Sequence, residues 1–116
     1  METLQAVDKL AALAQESRLR IFRLLVEAGP DGMNAGAIAA ALDIPAATLS
    51  FHVAHLARAG LVASRQESRF VFYSANYPAM DDLIAYLTDH CCQGGGQCLP
   101  KTAAVATTAR RRAKAA

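Results

Sequence analysis

The three cysteines of this 116-residue chain, Cys91, Cys92 and Cys98, fall within eight residues, on either side of Gly94-Gly95-Gly96. Three thiols on one short loop can converge on a single soft ion, and the glycines let the chain fold back without a Cβ penalty. His90 stands beside them, so a Cys3His zinc set is a second reading. It asks three successive residues, His90, Cys91 and Cys92, to face one centre. A redox switch is the third reading, with oxidation linking Cys98 to Cys91 or Cys92. A structural disulfide framework fits worst, because the count is odd and adjacent cysteines close only a strained ring.

Composition places these thiols in a reducing setting. The chain is 53% hydrophobic and has no tryptophan, which suits one small helical domain. No apolar run reaches the roughly 18–20 residues of a membrane span. The start, Met1-Glu2-Thr3-Leu4, lacks the basic and apolar regions of a signal peptide. The expectation is a cytoplasmic protein without a membrane partner, in which clustered thiols are ligands or redox groups. The net charge of +2 is unevenly spread. Residues 1–100 hold seven Lys/Arg against ten Asp/Glu, whereas residues 101–116 hold five basic residues and no acid. That tail has little to bury and reads as disordered, either simply solvated or an auxiliary phosphate contact.

Hydrophobic spacing supplies the elements that must position any site. Leu4, Val7, Leu10 and Leu13 mark a first helix over 3–14. A second, over 17–28 with Ser17 as its cap, ends at Gly29-Pro30. Asn34 caps a short helix over 35–42, and Asp43-Ile44 turns into a helix over 45–59 with Pro45 in its first turn. Leu49, Val53 and Leu56 form the apolar stripe of that helix. Ala47, Thr48, Phe51, His55 and Arg58 lie roughly opposite, with Ser50 on the flank. Gly60 ends the helix. Strand-like residues on either side of Gln66-Glu67-Ser68 then predict a hairpin over 61–75, and a last helix follows over 78–90.

Two helices about a tight turn, followed by a hairpin, make a winged helix-turn-helix. The segment Asn34–Asn76 resembles the ArsR–SmtB family of metal-responsive bacterial repressors, and the likeness extends over Leu4 to His90. It is carried by Ser17-Arg18-Leu19-Arg20-Ile21, by Thr48-Leu49-Ser50-Phe51-His52, and by Leu56-x-x-Ala59-Gly60-Leu61-Val62. Arg65-x-x-x-Arg69 and Tyr73-Ser74 complete it. The resemblance implies a homodimer on double-stranded operator DNA; a metalloid chaperone without DNA binding is the alternative, and an enzyme is not expected, because His90 is the only histidine near the thiols and no activated nucleophile is paired with a base. Its recognition helix would offer Ala47, Thr48, Ser50, Phe51, His52 and His55, and its wing Arg65 and Arg69. His52 reads equally well as a core histidine. Leu4, Val7, Leu10, Met80, Leu83, Ile84 and Leu87 are dimer-interface candidates, with an intramolecular core as the alternative.

Family members hold their inducers at different places. The third-helix stretch Met33–Ala37 has no cysteine, and the last helix lacks the second histidine of the zinc-sensing type. Cys91, Cys92 and Cys98 instead resemble the relocated arsenic site of some members. The resemblance thus implies three domains of action: a dimerising DNA-binding unit over 1–92, a metalloid loop over 91–98 and the basic tail over 101–116. The inducer would be As(III) or Sb(III), each bound by three thiolates in a pyramid, with Zn(II) less suited. Methylated trivalent arsenicals, which need two thiols, remain open.

Overall fold

The computed structural model describes residues 1–92; Cys98 and the basic tail over 101–116 lie outside the described residues. Five helices and a three-stranded antiparallel sheet form in the order α1 (Thr3–Leu13), α2 (Glu16–Ala28), β1 (Met33–Asn34), α3 (Ala35–Leu42), α4 (Ala46–Arg58), β2 (Val62–Glu67), β3 (Phe70–Ala75), α5 (Tyr77–Thr88). The predicted winged helix-turn-helix is therefore present. Its residues fall into two units, Met1–Leu83 and the segment from Ile84 onward.

Most departures from the sequence reading lie at element ends. The cap of α2 is Gln15, not Ser17: its backbone is extended and its side chain accepts from the Arg18 N–H at 2.9 Å. A glutamine amide reaches the third helical N–H from there, so the helix starts one residue early. Pro45 sits just before α4 as its cap, with φ −60° and ψ 147°, rather than inside the first turn. Its carbonyl still accepts from the Leu49 N–H. Asn34 does cap α3, accepting from the Ala37 N–H at 2.8 Å. β2 runs two residues further than expected, to Glu67, and β3 starts one residue later, at Phe70, which leaves Ser68-Arg69 as the turn. Ser68 takes the left-handed conformation there, φ 59°.

One element was not foreseen. Met33 and Asn34 pair with Tyr73 and Phe72, giving the sheet order β1-β3-β2. Two residues are too few for an alternation to show in sequence. The approach is tight at Gly32, where φ is +75° and an added Cβ would lie 2.1 Å from the Tyr73 carbonyl oxygen.

The core joins Ile21 and Leu25 of α2, Ile38 of α3, Leu49, Val53 and Leu56 of α4, and Leu61 and Val62 at the start of the wing. Each such side chain contributes on the order of 1.5–3 kcal/mol by leaving water. Polar ties reinforce the corners. Tyr77 Oη donates to the Val26 carbonyl at 2.9 Å, and Asn76 Nδ2 donates to the Gly60 carbonyl at 2.9 Å.

The dimer candidates separate. Leu4, Val7 and Leu10 on α1 are exposed, as are Ile84 and Leu87 near the end of α5. Leu83 is buried within the subunit, and Met80 packs on the core. For these two, packing within the chain already accounts for the apolar side chain, which was the alternative reading. Among the described residues no single helix is long and apolar enough to cross a membrane.

Gly32→Ala should lower the unfolding free energy by roughly 2–5 kcal/mol, from a left-handed backbone plus overpacking against β3. Gly36→Ala, whose new Cβ would meet only Asn34 Oδ1 at 3.4 Å, should be neutral or raise it by up to about 1 kcal/mol. Urea denaturation of the two variants measures the contrast.

Candidate nucleic-acid interface

Helix α4 buries Leu49, His52, Val53 and Leu56. That i, i+3, i+4, i+7 set fixes which residues can face outward. Ala47, Thr48, Ser50 and Phe51 are exposed as expected, together with Ala54, Ala57 and Arg58. Phe51 is 64% exposed, an unusual position for a large apolar ring on a surface helix. The face offers two hydroxyl donors, one aromatic ring and several methyl-sized side chains. Such a surface suits phosphate or base-edge contacts from Thr48 and Ser50, and thymine methyl contacts from Phe51 and the alanines. Ala54 was missed because alanine gives no polarity signal; its place one turn after Ser50 was the only clue.

His52 resolves towards the core. It is 8% exposed, its Nδ1 has no hydrogen-bond partner among the described residues, and its ring meets that of Phe51 edge-on with centroids 5.5 Å apart. Its side chain therefore supports the outward phenyl ring from beneath rather than reaching out itself.

His55 lies on the flank between α1 and α4, in a cleft of about 250 Å³ lined with Asp8, Ala11, Arg58 and Ala59. Partial desolvation lowers its pKa below the usual 6.5, and the charges of Arg18, Arg58 and His52 push the same way. Arg18 is held in place by its Nε–H, which donates to the Ala12 carbonyl at 2.6 Å. This grouping was not visible in sequence, because 37 positions separate Arg18 from His55.

The two wing arginines differ. Arg69 sits on the exposed hairpin turn and makes no ion pair among the described residues. Arg65 is engaged within the chain, its Nε donating to Glu67 Oε2 at 2.8 Å and its Nη1 to the Asp31 carbonyl at 3.0 Å.

At the other end, α5 stops at Thr88 and the backbone turns through His90 and Cys92, with φ of 61° and 60°. Cys91 and Cys92 bring their Sγ atoms to 3.5 Å. His90 Nε2 lies 3.6 Å from Asp89 Oδ2. No group of three or more His, Cys, Asp or Glu side chains forms a metal site among the described residues.

Comparison with known proteins bears on this arrangement. Residues 13–65 match the model of a helix-turn-helix domain. The transcriptional activator HlyU of Vibrio cholerae is 34% identical over 89 residues, which cover 77% of this chain and 80% of HlyU. The chain belongs to the ArsR/HlyU-type winged helix-turn-helix transcriptional regulators. A crystal or solution structure exists for several members. HlyU superposes with a TM-score of 0.60 at 35% identity, over 75% of this chain and 97% of HlyU, and has also been solved in a reduced form. A homodimeric winged helix-turn-helix DNA-binding domain from Mycobacterium bovis gives 0.60 at 25% identity, over 80% and 86%. A possible transcriptional regulator for arsenical resistance gives 0.61 at 26% identity, over 87% and 98%. These relatives are regulators, and this chain is a regulator rather than an enzyme.

The electrostatics of the flank are testable. With a folded pKa below the unfolded value near 6.5, the unfolded chain binds more protons between the two values. The His55 contribution to stability is therefore constant above pH 6.5 and is lost as pH falls towards the folded pKa. Arg58→Gln should raise the His55 pKa and narrow that acid window. Proton NMR titration of the imidazole reads the pKa directly, and an unchanged value would remove Arg58 as a cause.

Proposed function

We propose that this chain is an As(III)- or Sb(III)-responsive transcriptional repressor. Its reduced dimer binds a palindromic operator of arsenic-resistance genes, with half-sites about one helical turn apart. Metalloid binding to Cys91, Cys92 and Cys98 releases it. The observation that carries this reading is the position of the thiols: Cys91 and Cys92, with Sγ atoms 3.5 Å apart, follow α5 directly. Support also comes from the similarity to a possible regulator for arsenical resistance, and from three thiolates matching the pyramidal demand of a soft trivalent metalloid.

Dimerisation rests on the exposed Leu4, Val7, Leu10, Ile84 and Leu87 and on the homodimeric relative from Mycobacterium bovis. Thr48, Ser50 and Phe51 read the major groove, Arg69 meets phosphate from the wing, and Ala47 and Ala54 allow close approach. Closing the three thiols on one ion would reorganise the end of α5. The coupling needed to switch occupancy is typically about 1–3 kcal/mol.

A thiol-redox regulator is the second reading, favoured by the reduced form in which the relative HlyU has been solved. The relative's name also describes activation, so the sign of regulation belongs to the test. A gel shift on the chain's own upstream region, titrated separately with arsenite, antimonite, zinc and peroxide, decides among these. Release by arsenite or antimonite from the wild type, and retention by Cys98→Ser, is the expected result. Release by peroxide alone moves the assignment to redox; unchanged binding at saturating metalloid sinks the metalloid reading.

A further inference from the structure

We propose that Arg65 is a positioning residue of the wing rather than one of its phosphate contacts, strapping the outer face of the hairpin to the α2–β1 loop. The inference rests on the DNA-binding reading and assigns the wing's cationic contact to Arg69.

Three contacts hold the guanidinium. Arg65 lies on β2 opposite Phe72 of β3, and Phe72 in turn pairs with Asn34 of β1. The guanidinium carbon stands 4.9 Å from the centroid of the Phe72 ring, within the range of a cation–π contact. One edge of the group, Nε–H, donates to Glu67 Oε2 at 2.8 Å on the same strand. Nη1 reaches beyond β3 and donates to the Asp31 carbonyl at 3.0 Å, across 34 positions of sequence. One side chain thus connects β2, the aromatic face of β3 and the loop that leads into β1.

Planarity is what makes this possible. A guanidinium stacks by its face while donating from its edges, and an ammonium cannot do both. The partners are also poor competitors for removal by DNA. A phosphate approaching Arg65 would meet the Glu67 carboxylate already in place, and its repulsion opposes the contact. The side chain is 43% exposed, so the ion pair itself adds little stability. Its effect is on geometry: the two-residue β1 and the α2–β1 loop give the hairpin its lateral support, and Arg69 rides on the hairpin turn. Gly32, next to Asp31, lies hard against the Tyr73 carbonyl, so the anchoring loop is itself well seated.

The test compares wild type, R65K, R65Q, F72L and R69Q as full chains, by fluorescence anisotropy on upstream DNA across a salt series. Melting curves ensure that each variant is folded at the assay temperature. R65K, R65Q and F72L should each lose roughly three- to tenfold in affinity, the scale of one ordinary hydrogen bond, without changing the salt slope. R69Q should make the slope of the dimer shallower by about two, roughly one for each wing. Loss on F72L is diagnostic, because Phe72 carries no charge. The proposal is overturned if R65K keeps wild-type affinity and R65Q makes the slope of the dimer shallower by about two, which would make Arg65 a phosphate contact. Amide exchange without DNA separates the strap from DNA binding as such. The Gly32 N–H, bonded to the Gly29 carbonyl at 3.0 Å, should exchange faster in R65K and F72L than in R69Q. Equal exchange in all variants also overturns the strap, even if no specific DNA binding is found.

Discussion

The burial of Leu49, His52, Val53 and Leu56 against α2, α3 and the base of the wing is the constraint on which the recognition surface depends. A helix has one set of positions per face, so committing these four inward commits Ser50, Phe51, Ala54 and Arg58 outward. The turn before α4 sets its direction: Asp43 in the left-handed conformation and Pro45 in an extended one reverse the chain between α3 and α4. Because Leu56 leads through Ala59 and Gly60 to buried Leu61 and Val62, the same packing seats the first residues of the wing. Helix and hairpin are therefore positioned by one apolar cluster.

The surface so presented is sparse in charge. Residues 1–100 hold fewer basic than acidic residues, and several of the cations are engaged within the fold. Arg23 pairs with Glu27, Arg18 and Arg20 donate to backbone carbonyls, and Arg65 is tied to Glu67 and Asp31. A domain of this kind gains little non-specific attraction to DNA. It suits a regulator whose grip rests on shape, methyl contacts and two-fold symmetry, and such a grip is sensitive to small changes in the placement of two recognition helices.

The fold was legible because its signals are local and strongly periodic. The stripe of α4, the Asn34 cap and the aromatic strand Phe70–Ala75 each appear within a few residues of sequence. Element ends were less legible. Gln15 replaces Ser17 as a cap, since the cap is decided by backbone conformation as much as by residue preference. β1 was invisible because it is defined by its partner strand. The site shows the same division. Phe51 and Ser50 follow from helical spacing, whereas the engagement of Arg65 and the grouping of Arg18 with His55 depend on contacts across more than thirty positions. His52 could be read either way in sequence, and packing decided for the interior.

The central claim is that metalloid at the cysteines and operator at α4 oppose each other through one protein. Linkage requires that opposition to act in both directions. The most direct measurement is therefore the As(III) affinity of the reduced full-length dimer, by calorimetry, with and without saturating operator DNA. The account predicts that operator weakens metalloid binding by the same factor by which metalloid weakens operator binding. Equal metalloid affinity in the two titrations would contradict it, and would leave the cysteines uncoupled from the helix that reads DNA.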